Sequence, residues 1–527
     1  MDTETELKFA LHPDDVDRVR AAPLLTRQAG TSKSLVSTYY DTADFALQRN
    51  AVTLRIRQDG DRCVQTVKTG PDPSLRSAGL FSRGEWEEPL PAPMPDVAAP
   101  ILRERLGDIA PEALRPIFTS RIQRLVWTIQ AADDAEIEVA LDCGEIDAPD
   151  GRTAPICEIE LELKRGSPAA LFDLAVALCD AAPLRIERRT KAERGYALAH
   201  SGGNAAPEAE PPQPAYAPPL ALDREMTVEA VLGAVLRHGL DHIVANEPAV
   251  LAGHPDGVHQ MRVAARRLRS VLSILKPMLP AEQRAWVASE LKWLADGFGP
   301  ARNWDVLADS LLPPVQRAMP GDRDVAALAG SVAAERKAAR DAASEIVLSP
   351  HYAAFLIRLT AWLEGRAWRR QALSEASARL LDPIGDIAGP LLDKRLKRVR
   401  KLGRHFDELT PNERHRLRIA LKKLRYAVDF LHSLYDADAS GDYRKRLTKL
   451  QDTLGHANDV ATARHLFADL VSEKRTRRNR GAGSRGAGEV VAAGYVIGWH
   501  ENGLAKAESK VRRQVKRLLK TDPFWRS

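Results

Sequence analysis

The sequence has little cysteine. Four residues, Cys63, Cys143, Cys157 and Cys179, are spread over 527 positions, and no two form a C-x-x-C pair. That excludes a disulfide framework and a structural zinc site of ordinary spacing. No stretch of about 18 consecutive apolar residues is present, so the sequence offers no membrane-spanning helix. The opening MDTETELK has no basic segment followed by an apolar one, as a secretory signal would. The expectation is a soluble, reduced, cytoplasmic protein. With 44% hydrophobic and 28% charged residues, a collagenous, wholly disordered or many-span chain is also excluded.

What the chain does have is length and an uneven spread of charge. At 527 residues it exceeds one ordinary domain and predicts about two to four. The net charge is only +6, yet residues 1–219 hold 25 Lys+Arg against 35 Asp+Glu, whereas residues 220–527 hold 52 against 36. An acidic half is joined to a basic half. The junction is Ser201–Leu220, rich in proline, alanine and glycine, and read as an extended, semi-stiff linker.

Residues 1–200 read mainly as strands: Glu4–Lys8, Val52–Gln58, Cys63–Lys68, Arg83–Glu88, Gln123–Ile129, Ala135–Leu141 and Ile156–Lys164. Helices fit Pro13–Ala21, Val97–Leu106, Pro168–Ala181 and Lys191–Ala199. The strand period of two puts Glu4, Glu6 and Lys8 on one face, as it does Arg55 with Arg57, and Glu158, Glu160, Glu162 and Lys164. Several strands with charged stripes of both signs suggest a closed barrel with a polar interior. The competing reading is a surface sheet laced by cross-strand ion pairs. Glu4, Glu6, Asp142, Glu158 and Glu160 are hard oxygen ligands suited to Mg²⁺ or Mn²⁺, with no His or Cys cluster beside them to suit zinc. Lys8, Arg55, Arg57, Lys68, Arg83, Arg124, Lys191 and Arg194 supply the opposite sign. Such an interior can take a metal–polyphosphate complex.

Residues 221–527 read as helices, with apolar residues three and four apart. A break is expected between Asp442–Leu454 and Asp459–Lys474, and a mobile basic loop over Lys474–Gly488. An internal repeat runs through this half. His259-x-x-Arg262-x-x-x-Arg266-Arg267-x-Arg269 recurs, 156 residues on, as His415-x-x-Arg418-x-x-x-Lys422-Lys423-x-Arg425. Gly299-x-x-Arg302-Asn303 meets Gly455-x-x-Asn458-Asp459 at the same offset, so two copies of one helical bundle are expected. At about 100° per residue, the first, fourth, eighth and eleventh positions of each motif form one narrow stripe. Acidic partners at i±4 are scarce on it, so intrahelical pairs do not explain it. A solvated face is the plainer reading, but like charges this close repel unless an anion lies among them, and arginine forks and lysine ammoniums suit phosphate. Trp286, Trp293, Trp304, Trp362 and Trp368 sit at helical spacing among leucines and read as core. Without stacking platforms, nucleic acid is disfavoured and a plain phosphate polymer favoured.

These residues carry two resemblances. Glu4-x-Glu6-x-Lys8 resembles the ExExK signature of the CYTH superfamily, the triphosphate tunnel metalloenzymes. Tyr39-Tyr40-Asp41-Thr42, Leu54-Arg55-Ile56-Arg57, Thr66-Val67-Lys68, Arg83-Gly84-Glu85, Asp142-Cys143-Gly144-Glu145, Glu158-Ile159-Glu160 and Lys191-x-x-Arg194-Gly195-Tyr196 follow in that family's order. The basic motif at His259 and Leu450-Gln451-Asp452-Thr453-Leu454-Gly455 are similar to the CHAD domain. The resemblance implies an eight-stranded antiparallel barrel over residues 1–200, a linker over 201–220, and an all-α domain over 221–520 in two copies, about 221–370 and 375–520. It implies catalytic roles for Glu4, Glu6, Lys8 and Lys191, with Lys191 closing the site. Phosphates would be held by Arg55, Arg57, Lys68, Arg83, Arg124 and Arg194; Arg124 is preferred to Arg121 because Arg-x-x-Trp127 fits the family spacing. Metal would be held by Glu4, Glu6, Asp142, Glu158 and Glu160. Polyphosphate would be held by His259, Arg262, Arg266, Arg267, Arg269, His415, Arg418, Lys422, Lys423 and Arg425.

The function this implies is metal-dependent hydrolysis of inorganic tripolyphosphate, with the helical half binding inorganic polyphosphate. A polyphosphate-binding adaptor that targets granules is the alternative; adenylate cyclase and thiamine triphosphatase rank lower. Asn303 stands in the first copy where the second has Asp459, a departure that predicts unequal affinities.

Overall fold

The computed structural model describes residues 2–60, 62–70, 80–97, 102–104, 110–132, 134–200, 212–478 and 486–526. By its contacts the chain divides into two compact units, Met1–Pro211 with Leu348–Arg369, and Pro212–Val347 with Arg370–Ser527.

The first unit is built on strands β1 (Asp2–Leu11), β2 (Thr31–Asp41), β3 (Val52–Asp59), β4 (Arg62–Thr69), β5 (Leu80–Leu90), β6 (Arg115–Gln130), β7 (Glu136–Asp147) and β8 (Thr153–Arg165). They lie in the order β5-β4-β3-β2-β6-β7-β8-β1, and β1 also pairs with β5, so the antiparallel sheet closes into an eight-stranded barrel. A short β9 (Leu184–Ile186) adds to β1 from outside. Gly60, at φ +58°, makes the tight turn from β3 to β4, a conformation glycine adopts without a Cβ clash.

The barrel is polar within and apolar without. Leu7, Phe9 and Leu11 of β1, Ile137, Val139 and Leu141 of β7, and Ile159 and Leu161 of β8 are buried in one cluster with Leu171, Phe172, Ala175 and Leu178 of α1 (Ala169–Cys179). Their alternate neighbours, Glu6, Lys8, Asp142 and Glu160, must then face the interior. A second cluster joins Tyr39, Phe118, Ile122 and Ile146 to Ala192 and Tyr196 of α2 (Lys191–His200). Gly195 lets α2 press on the Phe118 ring, since a Cβ there would come within 2.1 Å of it. The Asp41 carboxylate ties this corner together: it accepts from the amides of Thr42, Leu47 and Gln48 and from the Tyr196 hydroxyl at 2.9 Å.

The helix Pro350–Glu364 also belongs to this unit, with Ile357 in the α1 cluster and Ala361 packed against it. Ser349 caps it by accepting from the Tyr352 amide at 3.2 Å, and Pro350 fills its first turn. The cysteines are free thiols, although Cys143 and Cys157 face each other across β7 and β8 with Sγ atoms 3.7 Å apart.

The second unit is helical: α3 (Val228–Ala245), α4 (Pro255–Ile274), α5 (Ala281–Gly297), α6 (Gly299–Val306), α7 (Arg323–Leu348), α8 (Ile384–Gly403), α9 (Pro411–Leu431), α10 (Ala437–Arg478) and α11 (Gly486–Lys520). The starts of α3, α4 and α5 recur 156 residues later as those of α8, α9 and α10. The copies differ where prolines fall. Pro300 follows the break between α5 and α6, and Pro350 the end of α7. The equivalent His456 and Lys506 lie inside α10 and α11, which run unbroken for 42 and 35 residues.

The break expected after Leu454 is therefore absent, because one interior glycine, Gly455, costs a helix only about 1 kcal/mol. The expected loop Lys474–Gly488 is helical at both ends, through Arg478 and from Gly486, and its middle lies outside the described residues. Most of the expected helix Val97–Leu106 and the linker stretch 201–211 also lie outside them. Trp304, Trp362 and Trp368 are buried as core. Among the described residues no single helix is long and apolar enough to cross a membrane.

Candidate active site and anion groove

The barrel interior is lined by alternate residues of its strands: Glu4, Glu6 and Lys8 of β1, Arg55 and Arg57 of β3, Lys68 of β4, Arg83 of β5, Arg124 of β6, Asp142 of β7 and Glu160 of β8, with Lys191 entering from the start of α2. Its charges form two linked sets. In one, Lys68 Nζ donates to both Glu4 oxygens at 2.7 Å, while Arg83 donates from Nε to Glu4 at 2.9 Å and from Nη2 to Glu6 at 2.6 Å. Burial pushes the Glu4 carboxyl up, but Lys68 and Arg83 outweigh it and hold Glu4 far below the usual carboxylate range.

The other set gathers Asp142, Glu158 and Glu160, each with a carboxylate oxygen within 4.8 Å of the others. Lys191 Nζ lies among them, 2.7 Å from Asp142 and 3.0 Å from Glu160, and also bonded to Glu158. Arg124 donates from Nε to Asp142 at 2.7 Å and from Nη2 to Glu160 at 2.6 Å. Lys8 links the two sets, 3.1 Å from Glu6 and bonded to Glu160. Against the opposing effect of burial, Lys191, Lys8 and Arg124 hold Glu160 well below its ordinary value, and the three carboxylates hold Lys191 well above its own. Three buried hard-oxygen donors, already holding an ammonium among them, fit Mg²⁺ or Mn²⁺ by chemistry.

Two cations on the same wall are less well matched. Arg55 reaches Glu85 and Glu87 only at 3.7 and 3.9 Å, and the Nε atoms of Arg55 and Arg57 are buried with no hydrogen-bond partner. The Arg57 guanidinium is pulled down to about 10 by Arg55, by burial and by Arg124. Glu87 acts on both but does not offset the repulsion that pulls Arg57 down, a setting that suits an anion.

Arg194 is not on this wall. It pairs with Glu158 at 3.2 Å and bonds the Pro155 carbonyl behind it. Sequence reasoning left out Glu85, which is 2.8 Å from Lys68, and Glu138 of β7, both lining the cavity. Period-two spacing from Arg83 and from Asp142 was the available signal.

In the second unit α4 packs against α9. Arg262 and Arg266 of α4 and Arg418 and Lys422 of α9 come close enough to act on one another, joined by Arg302 of α6 and by Asp459 of α10. Burial, then Arg302 and Arg266, pull His259 down to about 4, so it stays neutral. Burial and its cationic neighbours pull Lys422 down to about 8. The Nε atoms of Arg262 and Arg266 are buried without a partner.

The stripes are not equivalent throughout. His415 and Lys423 are exposed. Arg425 is engaged by Gln451 at 3.2 Å and Asp429 at 3.5 Å, Arg267 lies towards the same Asp429, and Arg269 shows no tie to the groove. Arg302 was visible in its motif but was not counted as a site residue.

Comparison with known proteins agrees with this division. The CYTH domain matches residues 2–196 and the CHAD domain matches residues 234–468. A Haemophilus influenzae protein named inorganic triphosphatase is 32% identical over 197 residues, which are 37% of this chain and 54% of that protein. The chain thus spans about half the length of that relative. An uncharacterized Mycobacterium tuberculosis protein is 26% identical over 485 residues, covering 86% of this chain and 85% of that one. The crystal structure of the CHAD domain from the plant Ricinus communis aligns with 59% of this chain and 98% of its own, at 27% identity and a TM-score of 0.49. The chain is a CYTH domain and a CHAD domain joined in one polypeptide.

Proposed function

We propose that the barrel hydrolyses inorganic tripolyphosphate with Mg²⁺ or Mn²⁺, and that the helical unit binds inorganic polyphosphate in the groove between α4 and α9. The observation that carries the first part is the barrel wall itself: Arg55 and Arg57, with unbonded Nε atoms, share one cavity with Asp142 and Glu160, which cluster with Glu158 behind them. The relative named inorganic triphosphatase supports it.

Asp142, Glu158 and Glu160 would hold the metal, with Glu4 and Glu6 free to join once Lys68 and Arg83 turn to phosphate. A divalent ion there supplies charge neutralisation and a more acidic water. Arg55 and Arg57 receive phosphate oxygens as paired forks. Water oxygen bonds the terminal phosphorus, the bridging P–O bond breaks, the water's proton passes to the released phosphate or to solvent, and pyrophosphate leaves with the charge that Lys8, Lys68 and Arg83 stabilise. Lys191, held protonated by three carboxylates, acts as fixed charge rather than as a base.

The test is phosphate release from tripolyphosphate, long polyphosphate, ATP and thiamine triphosphate, each with Mg²⁺ and with Mn²⁺. Release from tripolyphosphate should be the fastest. Release no greater than that of a Glu4→Ala/Glu6→Ala variant would sink the reading.

A further inference from the structure

A second strongly charged face lies on the helical unit, outside the groove. Along α8, Lys394, Lys397, Arg398 and Lys401 follow one another at one-turn spacing, with Arg404 just beyond, while Leu392, Leu396 and Val399 are buried on the opposite side. All five cations are exposed, and among the described residues none is ion-paired with a carboxylate. Two clefts share this face. One has Asp393 as its sole acid, and that acid is bonded to Arg526 at 3.0 Å. The other lies between α8 and α9, where Arg416 and Lys423 add charge above Ile419 and Ala420.

The plainest explanation is helix-end electrostatics, since cations favour a helix C-terminus. That covers Lys401 and Arg404 but not Lys394 and Lys397, which lie inward of the last turn. The internal repeat supplies a sharper comparison. α3 is the counterpart of α8, and at the matching positions it carries His238, Asp241, His242 and Ala245 in place of Lys394, Lys397, Arg398 and Lys401. The α3 face is covered: His242 Nε2 lies 3.2 Å from the Ala215 carbonyl, and Asn246 accepts from the Ala215 amide at 3.0 Å. One copy therefore covers part of this face with its own chain, burying His242 and leaving Ala245 exposed, and the other opens it throughout and lines it with cations.

At about 100° per residue, Arg416 and Lys423 lie on the side of α9 opposite to Arg418 and Lys422. Neither cleft has a Phe, Tyr or Trp among its lining residues, and His405 is the one ring in the first of them, so neither offers successive bases a run of stacking platforms. We propose that this face of α8, with Arg416 and Lys423, is a second binding site for linear polyphosphate, so that one long chain engages α9 on both sides. The proposal rests on the reading of the α4–α9 groove as a polyphosphate site.

The experiment is equilibrium binding of the full chain to polyphosphate of about 100 units at several salt concentrations. It compares wild type with Lys394→Gln/Lys397→Gln/Lys401→Gln and with the groove variant Arg262→Gln/Lys422→Gln. The α8 variant should weaken long-chain binding about tenfold and lower the salt slope by about two, at roughly 0.7 per lost phosphate contact. Its tripolyphosphate hydrolysis and thermal unfolding should match wild type, and the Lys→Arg triple variant should bind normally. Wild-type affinity and slope in the α8 variant overturn the proposal and leave the groove reading standing. Normal binding in the groove variant, with loss in the α8 variant, overturns the groove reading and leaves the α8 site. Duplex DNA bound as tightly per phosphate, and lost equally in the α8 variant, overturns the assignment to polyphosphate.

Discussion

The barrel and the helical groove both collect arginine and lysine, but they balance that charge differently. In the barrel, Lys8, Lys68, Arg83, Arg124 and Lys191 each have a carboxylate partner within about 3 Å, and only Arg55 and Arg57 are left poorly matched. In the groove, Arg302, Arg418 and Lys422 act on Asp459 while Arg262 lies towards Asp296, and burial together with the neighbouring cations pulls Lys422 down to about 8. A ligand entering the barrel must exchange partners with existing ion pairs, so it has to arrive with positive charge of its own. A ligand entering the groove meets unneutralised cations and need bring only negative charge. Metal-bound phosphate suits the first and bare polyphosphate the second. Added salt should therefore weaken groove binding far more than turnover in the barrel.

The largest effect that could break this comparison is loss of the carboxylate triad. Asp142→Asn keeps the shape but removes a charge that Arg124 and Lys191 both engage. We expect about a 10³-fold fall in the rate of phosphate release, measured with saturating Mg²⁺ or Mn²⁺. A rate within tenfold of wild type would remove the triad from the chemistry. Next is Arg57→Ala, expected to lower kcat/KM for tripolyphosphate about 10²-fold, with Arg57→Lys recovering part of it because charge returns without the fork. Equal rates in the alanine and wild-type proteins would mean that its unmatched position is incidental.

How far the sequence carried these sites depends on whether the deciding contact is local. Glu4, Glu6 and Lys8 are legible because period two puts them on one face, and charged stripes on several strands already imply a polar interior. Which cation meets Glu4 is not legible. It follows from the closure of β1 on β5, where Glu4 lies opposite Arg83 across 79 residues. Strand β2 escaped period reading because its first four positions are exposed and its buried alternation, Leu35, Ser37, Tyr39 and Asp41, mixes apolar with polar residues. The helix Pro350–Glu364 reads as buried, but its pattern cannot say that Ile357 belongs to the barrel's outer core. In the stripes, the angle around α9 puts His415, Arg418 and Lys422 on one face, yet only the packing of α4 decides that Lys422 is enclosed while His415 and Lys423 are exposed.

A smaller effect sharpens the groove side. Arg266→Glu puts a carboxylate beside Arg262 and Lys422 that neutralises them and repels phosphate, and long-chain polyphosphate affinity should fall about tenfold at low salt, less as salt rises. Tripolyphosphate hydrolysis should stay within about twofold of wild type. A matching fall in hydrolysis would show that the two units do not divide their ligands as the charge balance implies.

The smallest effect is set by pH. Burial pulls Lys422 down from 10.5 to about 8, with Arg418, Arg266 and Arg262 adding to the shift and Asp459 opposing it. As pH rises through about 8 the groove loses one positive charge, and polyphosphate affinity should fall roughly threefold, the size of one modest ion contact. Stability should move the other way. Between about pH 8 and 10.5 an unfolded chain still protonates this lysine while the folded one does not, so the unfolded state binds more protons and Lys422's contribution rises with pH. Lys422→Arg, charged throughout, should flatten both trends. Opposite slopes in binding and in thermal unfolding, both lost in the arginine variant, separate this titration from general alkaline unfolding, which would lower the two together.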